Sequence, residues 1–279
     1  MKASDFISAF GKTLKSLIKA IVLSRPVGRL PKCSKPSDTI IILGNGPSLN
    51  STISSSGRLL EENPTMAVNF MANTDEFFKI RPDYYVIADP HFFNAFDQEN
   101  VSTLWKNLAS VDWPMVLLVP AKMVGKTKKV LCGRKNISVK GFNFVGIEGY
   151  KWFECFMFRH RIGMPRPRNV LVPALMSAIS AGYKEILLAG ADHSWLETLR
   201  VTDENHVVSV QPHFYADSKK ELKRSETEYR SLHLHDVLYS FYVAFKSYHI
   251  IELYATKRGV CIYNITPGSY IDAFPRKKI

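Results

Sequence analysis

Cysteine is scarce in this sequence. Its 279 residues include four, Cys33, Cys132, Cys155 and Cys261, set far apart with no Cys-x-x-Cys pair. That spacing argues against a zinc site and offers no disulfide framework. Four scattered thiols fit a reducing cytoplasm. No run of about 18 apolar residues occurs, so no helix is expected to span a bilayer. A secretory signal fits poorly, because lysines break the first apolar run and no clean small-residue cleavage site follows. Acidic residues are the minority charge, 25 against 37 basic, for a formal net charge of +12 and a pI near 9.5. The imbalance favours an anionic partner: nucleic acid, an anionic membrane or a phosphorylated substrate. Aromatics do not interleave with a basic stripe, which speaks against nucleic acid. No internal repeat or low-complexity tract is present.

What is present is globular. Hydrophobic residues make up 46% and charged residues 22%, enough for a large core without staples. In residues 1–24, Phe6, Ile7, Phe10, Leu14, Leu17, Ile18, Ile21 and Val22 recur at helical spacing, with Lys12, Lys15 and Lys19 between them. This is a basic amphipathic helix, which either lies on an anionic membrane or packs on the protein's own core. A polar linker over 24–38 follows. The division expected is 1–37 for helix and linker and 38–279 for a nucleotide-binding catalytic domain.

Short β-branched runs bounded by turn residues read as parallel strands at Thr39–Leu43, 66–69, 84–88, 115–119, Glu185–Ala189 and 250–254. Helical stretches alternate with them. The segment 122–168 is less regular, 169–181 reads as a helix stopped by Gly182, and 226–248 as a long helix. The segment 201–224 reads as a polar loop, within an insertion placed at about 196–225. The fold expected is α/β: a Rossmann-like doubly wound, mostly parallel sheet with a lid-like insertion and an N-terminal amphipathic helix.

The strongest local signal is Leu43-Gly44-Asn45-Gly46-Pro47-Ser48-Leu49, at the carboxyl end of the first strand, where open α/β sheets bind ligands. Gly44 and Gly46 would let backbone approach a phosphate, and a helix start behind them favours an anion. The loop has neither Gly-Lys-Ser/Thr nor GxGxxG; its alternative is a plain β-turn. Asn69 and Asp89 end the next two strands and could hold hydroxyls, or, for Asp89, a metal; both could equally be caps. Gly190-Ala-Asp192-His193 ends a further strand. There Asp192 suits loop hydrogen bonds and His193 a phosphate contact. His213, Tyr215, His233 and His235 complete a C-terminal pool from which a general base could come.

The segments 41–49, 67–69 and 88–90, together with Ala181-Gly-Tyr-Lys-Glu-Ile-Leu-Leu-Ala-Gly-Ala-Asp192, resemble the bacterial sialyltransferases of glycosyltransferase family 42. They also resemble a wider set of proteins that includes a 6-hydroxymethylpterin diphosphokinase. The first resemblance implies a CMP-sugar donor, a glycan acceptor, an inverting single displacement and no metal or other cofactor. It implies that Asn45, Ser48 and Asn69 contact the nucleotide and its phosphate, and that Tyr215 and His193 stabilise the leaving phosphate. It also puts Asn169 at a donor-binding Thr-Ser-Gly that reads Asn169-Val170-Leu171 here, and the base at His233, with His235 one register away. Asp89 stands where those enzymes usually carry asparagine, and a carboxylate there repels phosphate unless a cation bridges them. The second resemblance implies a pyrophosphokinase using ATP and magnesium, with Asp89 and Asp192 as metal ligands. A third possibility is a nucleotide-binding, membrane-associated protein without chemistry. The location expected is cytoplasmic, on the inner face of the cell membrane, with oligomers possible.

Overall fold

The computed structural model describes residues 3–33, 35–210, 226–229 and 232–279. Seven parallel strands form one sheet: β1 (Thr39–Leu43), β2 (Thr65–Val68), β3 (Tyr84–Val86), β4 (Met115–Pro120), β5 (Ile137–Phe142), β6 (Glu185–Ala189) and β10 (Cys261–Asn264), in the order β10-β6-β1-β2-β3-β4-β5. Their inward residues alternate between two cores. Ile40 and Ile42 of β1 join Val68, Tyr84 and Leu188 on one face, and Ile41 and Leu43 join Ala67, Tyr85 and Leu187 on the other. Both faces being covered explains why β1 reads as an unbroken apolar run. Each fully buried aliphatic side chain contributes about 1.5–3 kcal/mol.

The chain winds from β1 out to β5, then returns to place β6 on the other side of β1. The reversal sits between β1 and β6, whose register pairs Leu43 with Ala189. Helix α9 (Leu171–Ala181) feeds β6 and ends on Gly182, whose φ of 94° suits glycine. Helix α8 (Lys151–Arg159) lies in the segment read as irregular.

Three expectations are corrected. Residues 250–254 belong to a helix, α10 (Leu234–Lys257); Ile251 and Tyr254 are buried at helical spacing while Leu253 is exposed. The last strand is β10. That helix starts at Leu234 rather than 226; Glu226–Glu228 is instead a strand, β9. The expected polar loop at 201–224 contains β7 (Arg200–Val201) and β8 (Val207–Val210), which form a three-stranded antiparallel sheet with β9. Edge strand β5 went unread because Ser138 and Lys140 face out.

Helix α1 (Ala3–Leu23) docks on the body through its small side chains. Ser16 Oγ donates to Glu148 O (2.8 Å) and accepts from Glu148 N–H (2.9 Å), and Tyr150 N–H donates to Thr13 Oγ1 (3.0 Å). A Cβ on Gly149 would lie 2.1 Å from Thr13 Oγ1, so glycine permits this approach. Apart from Phe6, whose ring packs on Tyr150, the apolar stripe of α1 is not used in docking. No helix among the described residues is long and apolar enough to cross a membrane.

Candidate functional site

At the carboxyl edge of the sheet, on the β1/β6 reversal, the loops after β1 and β6 lie against one another. Gly44 N–H donates to Ala189 O and Gly46 N–H to Gly190 O, both at 2.8 Å. A Cβ on Gly44 would stand 2.4 Å from Gly190 O, and one on Gly46 would stand 1.9 Å from Asp192 Oδ2. These glycines are therefore required by loop-to-loop packing whatever the ligand. Asp192 is held across the gap: its Oδ1 accepts from Ser48 N–H (3.2 Å) and its Oδ2 from Ser48 Oγ (2.8 Å). Burial raises the Asp192 pKa above the usual carboxylate range, and the two Ser48 donors oppose that rise.

Between the loops is a cleft of about 150 Å³, lined among others by Gly44, Asn45, Gly46, Asn69, Asn169, Asp192, His193 and Trp195. All of these but Trp195 are candidates on the sequence alone. Two amide oxygens facing this region, Asn45 Oδ1 and Asn69 Oδ1, are buried with no hydrogen-bond partner, and Asn169 Nδ2 has only the Tyr248 hydroxyl beside it. Their other ends are fixed. Asn45 Nδ2 donates to Val68 O (3.2 Å), and Asn169 Oδ1 accepts from Leu171 N–H (3.0 Å), capping α9. Asn69 has φ 50°, a left-handed conformation tolerated by asparagine, and its carbonyl accepts from the buried Tyr85 hydroxyl. Unpaired buried polar atoms are costly and rare, so the two acceptors leave this cleft polar and unsatisfied. The cleft is smaller than the usual 300–1,000 Å³ of small-molecule pockets, so a whole nucleotide would extend beyond it.

His193 also has φ 55°. Its Nε2 lies 2.7 Å from the Tyr248 hydroxyl, and its ring packs on Trp195 and Phe245. Burial drives its pKa down to about 3 and that of Tyr248 up, so both are neutral near pH 7. A neutral His193 brings no positive charge to a phosphate. The acid response follows with a definite sign. Below about pH 6.5 the unfolded chain takes a proton that folded His193 refuses, so stability falls as pH falls, by about 1.4 kcal/mol per pH unit from this group. His193→Asn, which suits the left-handed backbone, is expected to remove that increment from the slope of urea-unfolding stability against pH between about pH 5.5 and 4. Equal slopes for the two proteins would refute the neutral assignment.

The remaining candidates lie elsewhere. Asp89 does not line the cleft; it is exposed, and its Oδ1 accepts from His91 N–H (2.8 Å), capping a short turn of helix. The Asp89–Asp192 metal pair therefore does not form. Ser48 faces Asp192 rather than the cleft. His233 and His235 are exposed at the start of α10 and do not line the cleft. Two residues apart on one helix, they would point about 200° apart. Instead His233 precedes the helix in extended conformation (ψ 163°), and the two rings stack at 5.7 Å. Tyr215 and His213 fall outside the described residues. Sequence reading missed Tyr248, which sits mid-helix without a local signal.

Comparison with known proteins fits this geometry. No curated protein matches the sequence. A solved structure with the same fold is the MAf glycosyltransferase from Magnetospirillum magneticum AMB-1, at a TM-score of 0.52 and 10% identity, covering 100% of this chain. The chain spans 39% of the length of that one. Residues 12–198, which hold β1 to β6 and every described cleft residue, match the sequence pattern of the family described as 6-hydroxymethylpterin diphosphokinase MptE-like. The chain belongs to the 6-hydroxymethylpterin diphosphokinase MptE-like family.

Proposed function

We propose that the chain is a transferase that binds a nucleotide-activated sugar in the β1/β6 cleft and moves the sugar to a hydroxyl of a cell-surface glycan. The observation that carries this reading is the pair of unpartnered amide oxygens on Asn45 and Asn69, with the Asn169 amide at the same cleft. Two uncharged acceptors suit a ligand offering hydroxyls, as the ribose of a nucleotide does, and a ligand oxygen could take the Asn169 donor over from Tyr248. The resemblance to sialyltransferases selects a CMP-sugar as donor, and the metal-free displacement goes with it. Asn45 and Asn69 would hold hydroxyls, and the Asn169 amide would donate to an oxygen of the donor. Ser48 acts through Asp192, by holding the second loop. The acceptor's proton would go to His233 or His235; because neither lines the cleft, that role requires an acceptor reaching from the cleft to the start of α10. The place of action implied is the anionic inner face of the cell membrane, reached through α1.

Family membership favours one other reading, a magnesium-dependent pyrophosphokinase. Among the described residues, its two-carboxylate site is not met. Asp192 is the one carboxylate at the cleft, and both of its oxygens already accept from Ser48.

Calorimetric titration with CMP, CTP, ATP and GTP, with and without magnesium, separates the two. CMP and CTP are expected to bind without magnesium. Asn45→Ala and Asn69→Gly, the latter keeping the left-handed backbone, are each expected to weaken CMP binding about three- to tenfold, the usual worth of a net hydrogen bond. Unfolding temperatures should change little for Asn45→Ala, which also removes an unpaired buried acceptor. Unchanged CMP affinity in both variants would sink the site. Binding of ATP alone, strictly with magnesium and lost in Asp192→Asn, would establish the pyrophosphokinase instead.

A further inference from the structure

Helix α9 has a second cavity at its other end. From Leu171 to Ala181 the helix rises roughly 15 Å, so this cavity is well separated from the cleft. Here α8, α9 and α10 all finish, and the enclosed volume is about 300 Å³, twice that of the cleft. Four guanidiniums line it: Arg29, Arg159, Arg161 and Arg258. None of the four makes an ion pair among the described residues. No carboxylate lines the cavity. Two polar atoms of the lining, Arg161 Nε and Ser180 Oγ, are buried without a hydrogen-bond partner. Arg161 takes up a left-handed backbone, φ 58°. The hydroxyl of Tyr254 reports the convergence of the cations: burial raises its pKa, and the charges of Arg258, Arg159 and Arg161 pull it back.

One structural explanation for the arginines is that they neutralise the three helix ends. Each C-terminus carries about half a negative charge, about 1.5 in all, against four positive charges. About 2.5 positive charges remain uncompensated; Arg161 is half-buried, while Arg29, Arg159 and Arg258 reach solvent at the mouth, where screening reduces their share. A carboxylate ligand would supply one negative charge, whereas a phosphomonoester supplies about 1.5–2 and a diphosphate more. Guanidinium forks also match phosphate oxygens two at a time. The rest of the lining is mixed: Asn143, Ser177 and Ser180 are polar, and Phe158, Met164, Met176 and Tyr254 form an apolar wall. Bare phosphate would fill only part of the 300 Å³ and leave the space beside that wall empty.

We infer that this cavity is a second ligand site, for an organic phosphate whose phosphoryl or diphosphoryl group sits among Arg29, Arg159, Arg161 and Arg258 and whose apolar body covers Phe158, Met164 and Met176. A soluble prenyl diphosphate and a phospholipid headgroup share this chemistry. The inference is independent of the reaction proposed for the β1/β6 cleft.

The test titrates the full chain with inorganic pyrophosphate and geranyl diphosphate, and sediments it with phosphatidic acid in phosphatidylcholine vesicles. Geranyl diphosphate is expected to bind at least about tenfold tighter than pyrophosphate, because burying two methylenes already supplies that factor. Two variants test the location. The double variant Arg159→Gln/Arg258→Gln removes two of the converging charges. Ser180→Asp places a carboxylate among them, and so is expected to raise the unfolding temperature of the ligand-free protein while displacing phosphate. Each is expected to weaken geranyl diphosphate binding at least about tenfold, and Asn45→Ala to leave it unchanged. Vesicle binding that persists in Phe10→Glu/Ile18→Glu and is lost when Ser180→Asp is added, with no response to geranyl diphosphate, assigns the site to a lipid headgroup. The inference is overturned if the parent binds neither probe, if both cavity variants retain binding, or if Asn45→Ala abolishes it.

Discussion

Replacing Gly44 by alanine is expected to cost at least about 3 kcal/mol of stability and to abolish nucleotide binding, the upper part of the range for overpacking. The new methyl would lie 2.4 Å from the Gly190 carbonyl oxygen and 2.9 Å from its carbon, both backbone atoms. Neither can swing aside as a flexible side chain would, because β1 and β6 are paired over five residues up to that point. Relief requires spreading the two central strands where Gly44 N–H meets Ala189 O. Gly46→Ala differs in kind. Its methyl meets mainly the Asp192 carboxylate, at 1.9 Å from Oδ2, although Gly190 O is also within 2.8 Å. Displacing the carboxylate releases Ser48, so a smaller stability loss is expected, with a similar loss of binding. Gly57→Ala is the control: it is exposed, within a helix, and has nothing within 4 Å, and it should be neutral or stabilising by up to about 1 kcal/mol. Urea-unfolding midpoints of the three variants measure this. A Gly44→Ala protein as stable as Gly57→Ala would show that the loops do not pack this way.

The glycines also show what a single sequence can reveal. Their place at the end of an apolar strand was legible, because β1 is buried on both faces and its run ends abruptly at Gly44. Their reason was not. The atoms that exclude a Cβ belong to Gly190 and Asp192, more than 140 residues away, and no local pattern announces that meeting. The same holds for the cleft. Asn45, Asn69, Asp192 and His193 were legible as polar residues at strand ends, whereas their unpaired amides and the neutral state of His193 depend on partners such as Tyr248 from another helix. Asp89 occupies an equivalent strand end and yet caps a turn, because β3 is short and the chain folds away after it.

The misread elements have a common cause. Ile250-Ile251 is β-branched and apolar, so it reads as strand, but the contact pattern that decides the matter is the helical spacing of Ile251 and Tyr254 toward the core. Strand β5 suffers the reverse: it is an edge, and its outward lysine and serine dilute the apolar signal. The four arginines of the second cavity lie at 29, 159, 161 and 258, and only the convergence of three helix ends gathers them.

Phe10→Glu combined with Ile18→Glu is expected to lower partition onto anionic vesicles at least about a hundredfold without altering the fold. Two large apolar contacts of about 1.5–3 kcal/mol each would be lost, and every 1.4 kcal/mol is a factor of ten. The expectation rests on how α1 is used. Ala9, Thr13, Ser16 and Ala20 recur every three or four residues and face the body, with Ser16 and Ala20 buried. Phe6, Ile7, Phe10, Leu14, Leu17, Ile18, Ile21 and Val22 remain 42% to 74% exposed. The helix thus does not choose between core and surface: it docks by its small residues and leaves its apolar stripe uncovered. Trp152, 70% exposed, extends the patch through Tyr150 to Phe6, the kind of amphipathic aromatic that settles at a lipid interface. Charge decides the occupant. The described part of α1 carries Lys12, Lys15 and Lys19 against Asp5, so a second copy would bring like charges together, whereas an anionic bilayer attracts them. Sedimentation with phosphatidylglycerol vesicles should be strong at low salt, weaken as salt screens the lysines, and be far weaker with phosphatidylcholine alone. The paired glutamates should remove it while the unfolding temperature holds, because both side chains already face out. If the parent stays in the supernatant at low salt and sedimentation velocity finds a dimer that the double variant cannot form, the stripe is covered by a second copy of the chain instead.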